Sequence, residues 1–139
     1  MKSLFVFAAL IAFSACAKKE IAVHSPTALV AVIADPVRFH GKTVRVSGFF
    51  RRGFETSGLF PSRDLSFSEA NGLWLDWKRE AMIEPLPSDP IWRDMKPLWL
   101  EVEGVVDAEQ HGHLGAWTGA IHATKIKANP VDWLDDRTR

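Results

Sequence analysis

The sequence predicts a mainly β protein whose five strands form a closed or partly open barrel. One helix is expected in front of the barrel and a short one between the third and fourth strands. Several short segments alternate apolar and polar residues with a period of two, as half-buried strands do. Turns marked by glycine or asparagine separate them, as at His40-Gly41, Asn71-Gly72 and Gly112. An open five-stranded sheet would leave edges to be covered, and closure removes them in a chain of this size.

Residues 1–17 read as a signal peptide. Lys2 gives a positive start, and residues 4–13 form a ten-residue apolar run. About ten residues span only ~15 Å as a helix, roughly half a bilayer core. That length suits a secretory signal rather than an anchor. Phe13-Ser14-Ala15-Cys16 resembles the lipobox of bacterial lipoproteins, in which the cysteine is acylated and becomes the new N-terminus; Phe13 departs from the usual leucine. By that resemblance Ala17, rather than an aspartate, implies the outer membrane. Ala15-Cys16-Ala17 also fits an ordinary signal-peptidase site, so simple secretion to the periplasm stays open. Cys16 as the only cysteine, followed at once by Lys18-Lys19-Glu20, favours the lipid anchor.

Residues 18–26 form a polar tether, 27–128 the barrel domain and 129–139 a polar tail carrying Trp133 and Leu134. Ser25 and Pro26 are expected to open the first helix as cap and first residue. Leu29, Val30, Val32 and Ile33 give it an apolar stripe, and Asp35-Pro36 stops it. The first strand spans residues 43–50, with Val44, Val46, Gly48 and Phe50 on one face. A second strand lies around 57–61, and a helical turn over 62–70 leads to Asn71-Gly72. The third strand covers 73–77. Residues 78–97 hold Pro85, Pro87, Pro90 and Pro97 and read as a loop. One short helix fits there, residues 90–95, capped by Asp89. The fourth strand, 98–108, points Leu98, Leu100, Val102, Gly104 and Val106 inward and Trp99, Glu101 and Glu103 outward. A glycine-rich turn over 111–115 returns the chain into a fifth strand at 116–127.

The run DPVRFHGKTVRVSGF over residues 35–49 is similar to the opening of small OB-fold proteins of the bacterial envelope. Leu73-Trp74-Leu75, Leu100-Glu101-Val102-Glu103-Gly104-Val105 and Gly119-Ala120-Ile121 continue the pattern, which covers roughly residues 27–127. These motifs are structural glycines and strand alternation. The family brings no agreed catalytic residues to carry over, and fold alone licenses no activity.

Composition narrows the partners. Seventeen basic residues balance seventeen acidic ones, and removal of residues 1–17 leaves a formal charge of −1. A general nucleic-acid binder needs excess Lys and Arg to neutralise phosphates, so none is expected here. No cysteine follows Cys16, which excludes disulfides and thiolate chemistry from the folded part. Nucleophile elbows, phosphate loops and paired-cysteine motifs are absent.

The remaining candidates each have a plain alternative. His111 and His113 alternate with Asp107 and Glu109 in one turn and could bind zinc, although hairpin tips carry such residues for turn reasons. Arg45, Arg51 and Arg52 with Phe54 could form a stacking, cationic ligand face of an OB barrel, or simply a solvated hairpin end. Glu101 and Glu103 lie about 7 Å apart on one strand face, a spacing common on exposed strands. His122 reads as a satisfied barrel-face residue, and His40 as a turn residue beside Gly41. The expected function is therefore a non-catalytic envelope lipoprotein that binds a small ligand or another envelope protein, with no cofactor. A soluble periplasmic metal-dependent enzyme built on His111 and His113 is the alternative, and an oligonucleotide-binding barrel the weaker third.

Overall fold

Each strand of this chain has an apolar face too wide to leave in water, and the five strands bury those faces against one another by closing into a ring. The computed structural model describes residues 25–53, 55–84 and 98–130. Two short helices, α1 (Leu29–Ala34) and α2 (Pro36–Phe39), precede β1 (Thr43–Arg52), β2 (Ser57–Phe60), β3 (Leu73–Glu84), β4 (Leu98–Asp107) and β5 (Ala120–Pro130). Around the closed barrel the order is β1-β2-β3-β5-β4. All neighbours are antiparallel except β3 and β5, which run parallel. The architecture is a mainly β, OB-like five-stranded barrel. Among the described residues no helix is long and apolar enough to cross a membrane.

The period-two reading holds along β1 and β4. Val44, Val46 and Phe50 face the same core as Leu100, Val102 and Val106, all nearly inaccessible to water. Leu29 and Val32 of α1 join that cluster. Gly48 permits the approach, because a Cβ there would lie 2.6 Å from both Leu29 Cδ2 and the Phe60 carbonyl oxygen. Gly41, at φ +72°, makes the turn out of α2 in a left-handed conformation that glycine adopts without strain.

Several boundaries differ from expectation, and β1 runs on to Arg52 rather than 50. The helix starts at Leu29 rather than Pro26, with no side-chain cap at Ala28. Pro26 instead bridges to Arg45, and the Thr27 N–H donates to the Arg45 carbonyl at 2.7 Å. Ala28 is extended, at φ −66° and ψ 121°, so the helical turn starts only after it. Asp35-Pro36 ends α1 and also opens α2, the Asp35 carboxylate accepting from the Arg38 N–H at 3.2 Å. β3 continues to Glu84, because Met82, Ile83 and Glu84 pair with Lys125, Ile126 and Lys127 of β5. Residues 78–84 of the expected loop are therefore strand, and 85–97 lie outside the described residues. β5 begins at Ala120 and runs to Pro130, so residues 129–130 of the expected tail are strand paired with Trp99 and Leu98. The helical turn over 62–70 is realised as 3-10 turns at Asp64–Phe67 and Glu69–Asn71. The expected signal peptide with Cys16, the helix over 90–95 and most of the tail lie outside the described residues.

Candidate functional site

On an OB barrel the outer face of the second and third strands, with the adjoining loops, is the usual ligand surface. Here the chain covers that face itself. Trp117, in the loop between β4 and β5, is 3% exposed. Its ring lies 5.5 Å from Phe60 and 5.6 Å edge-on from Trp74. Gly58 is required beneath it, since a Cβ there would meet the Trp117 ring at 2.1 Å. His111 holds the loop by donating from Nδ1 to the Trp117 carbonyl at 2.9 Å, and Thr118 donates its hydroxyl to the Gly72 carbonyl at 2.9 Å. His113 Nε2 lies 3.1 Å from Glu55, tying the loop to the β1–β2 turn. The two histidines singled out from sequence thus engage different partners. Among the described residues no group of three or more His, Cys, Asp or Glu could hold a metal ion.

The arginines do not converge either. Arg45 and Arg51 share the outer parity of β1 but sit six residues apart, about 20 Å along a strand. Arg51 donates to the Ser66 carbonyl. Arg52, on the opposite parity, lies over the Trp77 ring at 5.9 Å. Phe54 lies outside the described residues.

A different set of residues is brought together on the outer face of β3, β5 and β4. Asp76 and His122 are register partners across the parallel pair, and Asp107 ends the neighbouring β4. His122 Nδ1 lies 2.9 Å from Asp76 Oδ2, and Nε2 lies 3.2 Å from Asp107 Oδ2. All three side chains are about one-third exposed. A ring carrying both protons donates to both carboxylates, whereas a neutral ring donates to one. The other oxygen of Asp107 accepts from the Glu109 N–H at 2.9 Å and the Gln110 N–H at 3.3 Å. The Glu109 N–H foremost, then His122, holds the Asp107 carboxyl below its ordinary range. His40 completes the line at 3.7 Å from Asp107 Oδ1. Its Nδ1 accepts the Ala108 N–H at 3.1 Å, which leaves the ring proton on Nε2. Asp107 therefore turns its two oxygens toward different imidazoles, and the four groups form a row rather than a coordination shell.

Beside this row the sheet opens. Pairing of β3 with β5 jumps from Trp77↔Ala123 to Met82↔Lys125, so residues 78–81 face a stretch where β5 has only Thr124. Pairing of β4 with β5 slips at the same place, from Glu103↔Lys125 to Gly104↔Ala123. Thr124 is the unmatched residue of both ladders and donates its hydroxyl to the Glu103 carbonyl at 3.1 Å. Gly104 allows the strands to close around it, because a Cβ there would lie 2.3 Å from the His122 carbonyl oxygen. Bulges of this kind bend a strand and re-aim its side chains next to functional sites. The result is a cleft of about 250 Å³ lined by Asp76, Lys78, Glu80, His122 and Thr124 over an apolar floor of Ala81, Val105 and Ala123. A wider hollow of about 490 Å³ lies between the exposed Phe67 and Trp99, with Ser62, Arg63 and Asp64 at its rim.

His122 is the satisfied barrel-face residue that its sequence position suggests, and His40 stands beside Gly41, but nothing in the sequence joins the two. The only local trace is the outward parity of Asp76 and His122; their meeting depends on strands 46 residues apart in the chain. Comparison with family models, curated proteins and solved structures finds no match to this chain.

Proposed function

We propose that the protein is a non-catalytic lipoprotein of a bacterial envelope, anchored through Cys16 to the periplasmic side of the outer membrane, that binds a small molecule in the cleft between β3 and β5. One observation carries the binding reading. The imidazole in the cleft has both nitrogens facing carboxylates, at 2.9 and 3.2 Å. A general base needs a nitrogen free to meet the substrate proton, and here a substrate would first have to displace Asp76 or Asp107. The row instead acts as a fixed rim beside an indented, partly apolar surface, which is what a binding site requires. The covering of the usual OB ligand face by Trp117 directs attention to this cleft and removes the stacking surface that an oligonucleotide would use. The lipobox-like run ending at Cys16 supports the address.

Intact-mass measurement on protein recovered from native membranes tests the anchor. The expected species begins at an acylated Cys16, and Cys16→Ser moves the protein to the soluble fraction. A soluble species beginning at residue 17 or 18 would overturn the anchor. For the domain, metal analysis is the counter-test: stoichiometric zinc lost on His111→Ala and His113→Ala would replace binding by the metal-enzyme reading.

A further inference from the structure

Resting on the reading of the β3–β5 cleft as a small-molecule site, we infer that its ligand is a zwitterion of amino-acid to dipeptide size, carrying an ammonium and a carboxylate on a short apolar body. The charges around the cleft are not equally available. Asp76 and Asp107 are engaged by His122, and the Thr124 hydroxyl hydrogen already points at the Glu103 carbonyl. Lys78 and Glu80 are left, and neither makes an ion pair with a described residue. They are two apart within the stretch of β3 that leaves the β5 ladder, and both line the cleft.

Residues i and i+2 of an extended chain start about 7 Å apart on one side. At that spacing an ammonium and a carboxylate can each reach one end of the same short molecule. A plain cation in the cleft would lie against Lys78, and a plain anion against Glu80 and the rim carboxylates. Each pays a like-charge cost that a molecule bearing both charges avoids. Glu80 takes the ammonium end and Lys78 the carboxylate. Size agrees: about 250 Å³ falls below the usual 300–1,000 Å³ of drug-sized ligand pockets. Ala81, Val105 and Ala123 offer an apolar floor with room for a short aliphatic group and little more.

The test uses three molecules of matched size: alanine, propylamine and propionate, each titrated at millimolar concentration into the isotope-labelled full-length protein. Backbone amide shifts of Ala123, Thr124 and His122 report occupancy. Alanine is expected to move these amides in a saturable way, with propylamine and propionate at least about tenfold weaker, since each lacks one charge-assisted hydrogen bond. Lys78→Ala and Glu80→Ala, both exposed positions with spectra that report folding directly, should each weaken alanine by about tenfold. Propylamine or propionate moving the same amides as well as alanine would overturn the zwitterion while leaving the cleft a ligand site. Cleft amides unmoved by all three molecules would overturn both.

Discussion

Asp107 is the most constrained acid of the described residues: two backbone N–H groups and one imidazole nitrogen converge on its carboxylate. Its folded-state carboxyl is held below the ordinary value of 3.8. A depressed carboxyl contributes stability that is fully present above its unfolded value and is lost as pH falls through the folded one. Thermal unfolding followed against pH should therefore show the melting temperature falling below about pH 4, and Asp107→Asn should flatten that fall. A variant with the wild-type acid profile would remove Asp107 as its source. Gly104 makes a second prediction at this scale. The Cβ of Gly104→Ala would press on the backbone carbonyl of His122, which cannot rotate away as a side-chain tip can. The expected loss is about 1–3 kcal/mol in urea unfolding.

The loop between β4 and β5 behaves as part of the fold rather than as a free ligand loop. Trp117 lies outside the barrel interior yet is as buried as the core, because Trp74 and Phe60 meet it on the outer face of β2 and β3. Its truncation in Trp117→Ala should cost about 3–5 kcal/mol by chemical denaturation, the scale of a large buried aromatic. The His113–Glu55 contact that ties the same loop to the β1–β2 turn is a contrast. His113 and Glu55 are 40% and 51% exposed, and solvent screens such pairs. Glu55→Gln should change stability by less than about 1 kcal/mol. Equal losses in the two variants would mean that the His113–Glu55 contact holds the loop as much as the aromatic packing does. Leu114 sits at the tip of this loop with φ +56° and 87% exposure, flanked by Gly112 and Gly115, also at positive φ.

The barrel as a whole is closed by contacts between residues far apart in the chain: β1 pairs with β4 from Thr43↔Val105 to Phe50↔Leu98. Non-local pairing of this kind slows folding, and refolding is expected on the millisecond-to-second scale, measurable by stopped-flow tryptophan fluorescence. A single phase with coincident far-ultraviolet and fluorescence transitions would mark one cooperative unit; separate transitions would break the barrel into independently stable parts. Much of this architecture was legible in the residues themselves. The inward set of β1 and β4, the turns at Gly41 and Asn71-Gly72, and the glycine-rich return before β5 follow from side-chain alternation and turn chemistry, which act over a few neighbours. The candidate site was not legible, because Asp76, Asp107 and His122 stand on three strands whose adjacency no local pattern encodes. The position of Trp117 was equally hidden: alternation reads it as strand, whereas the aromatic wall of β2 and β3 draws it into a loop. Local periodicity, then, determined that the chain makes strands and which side of each avoids water. Only ring closure decided which strands became neighbours, where their ladders slip at Thr124, and which charges came to share one cleft, since those outcomes depend on how the strands pack together.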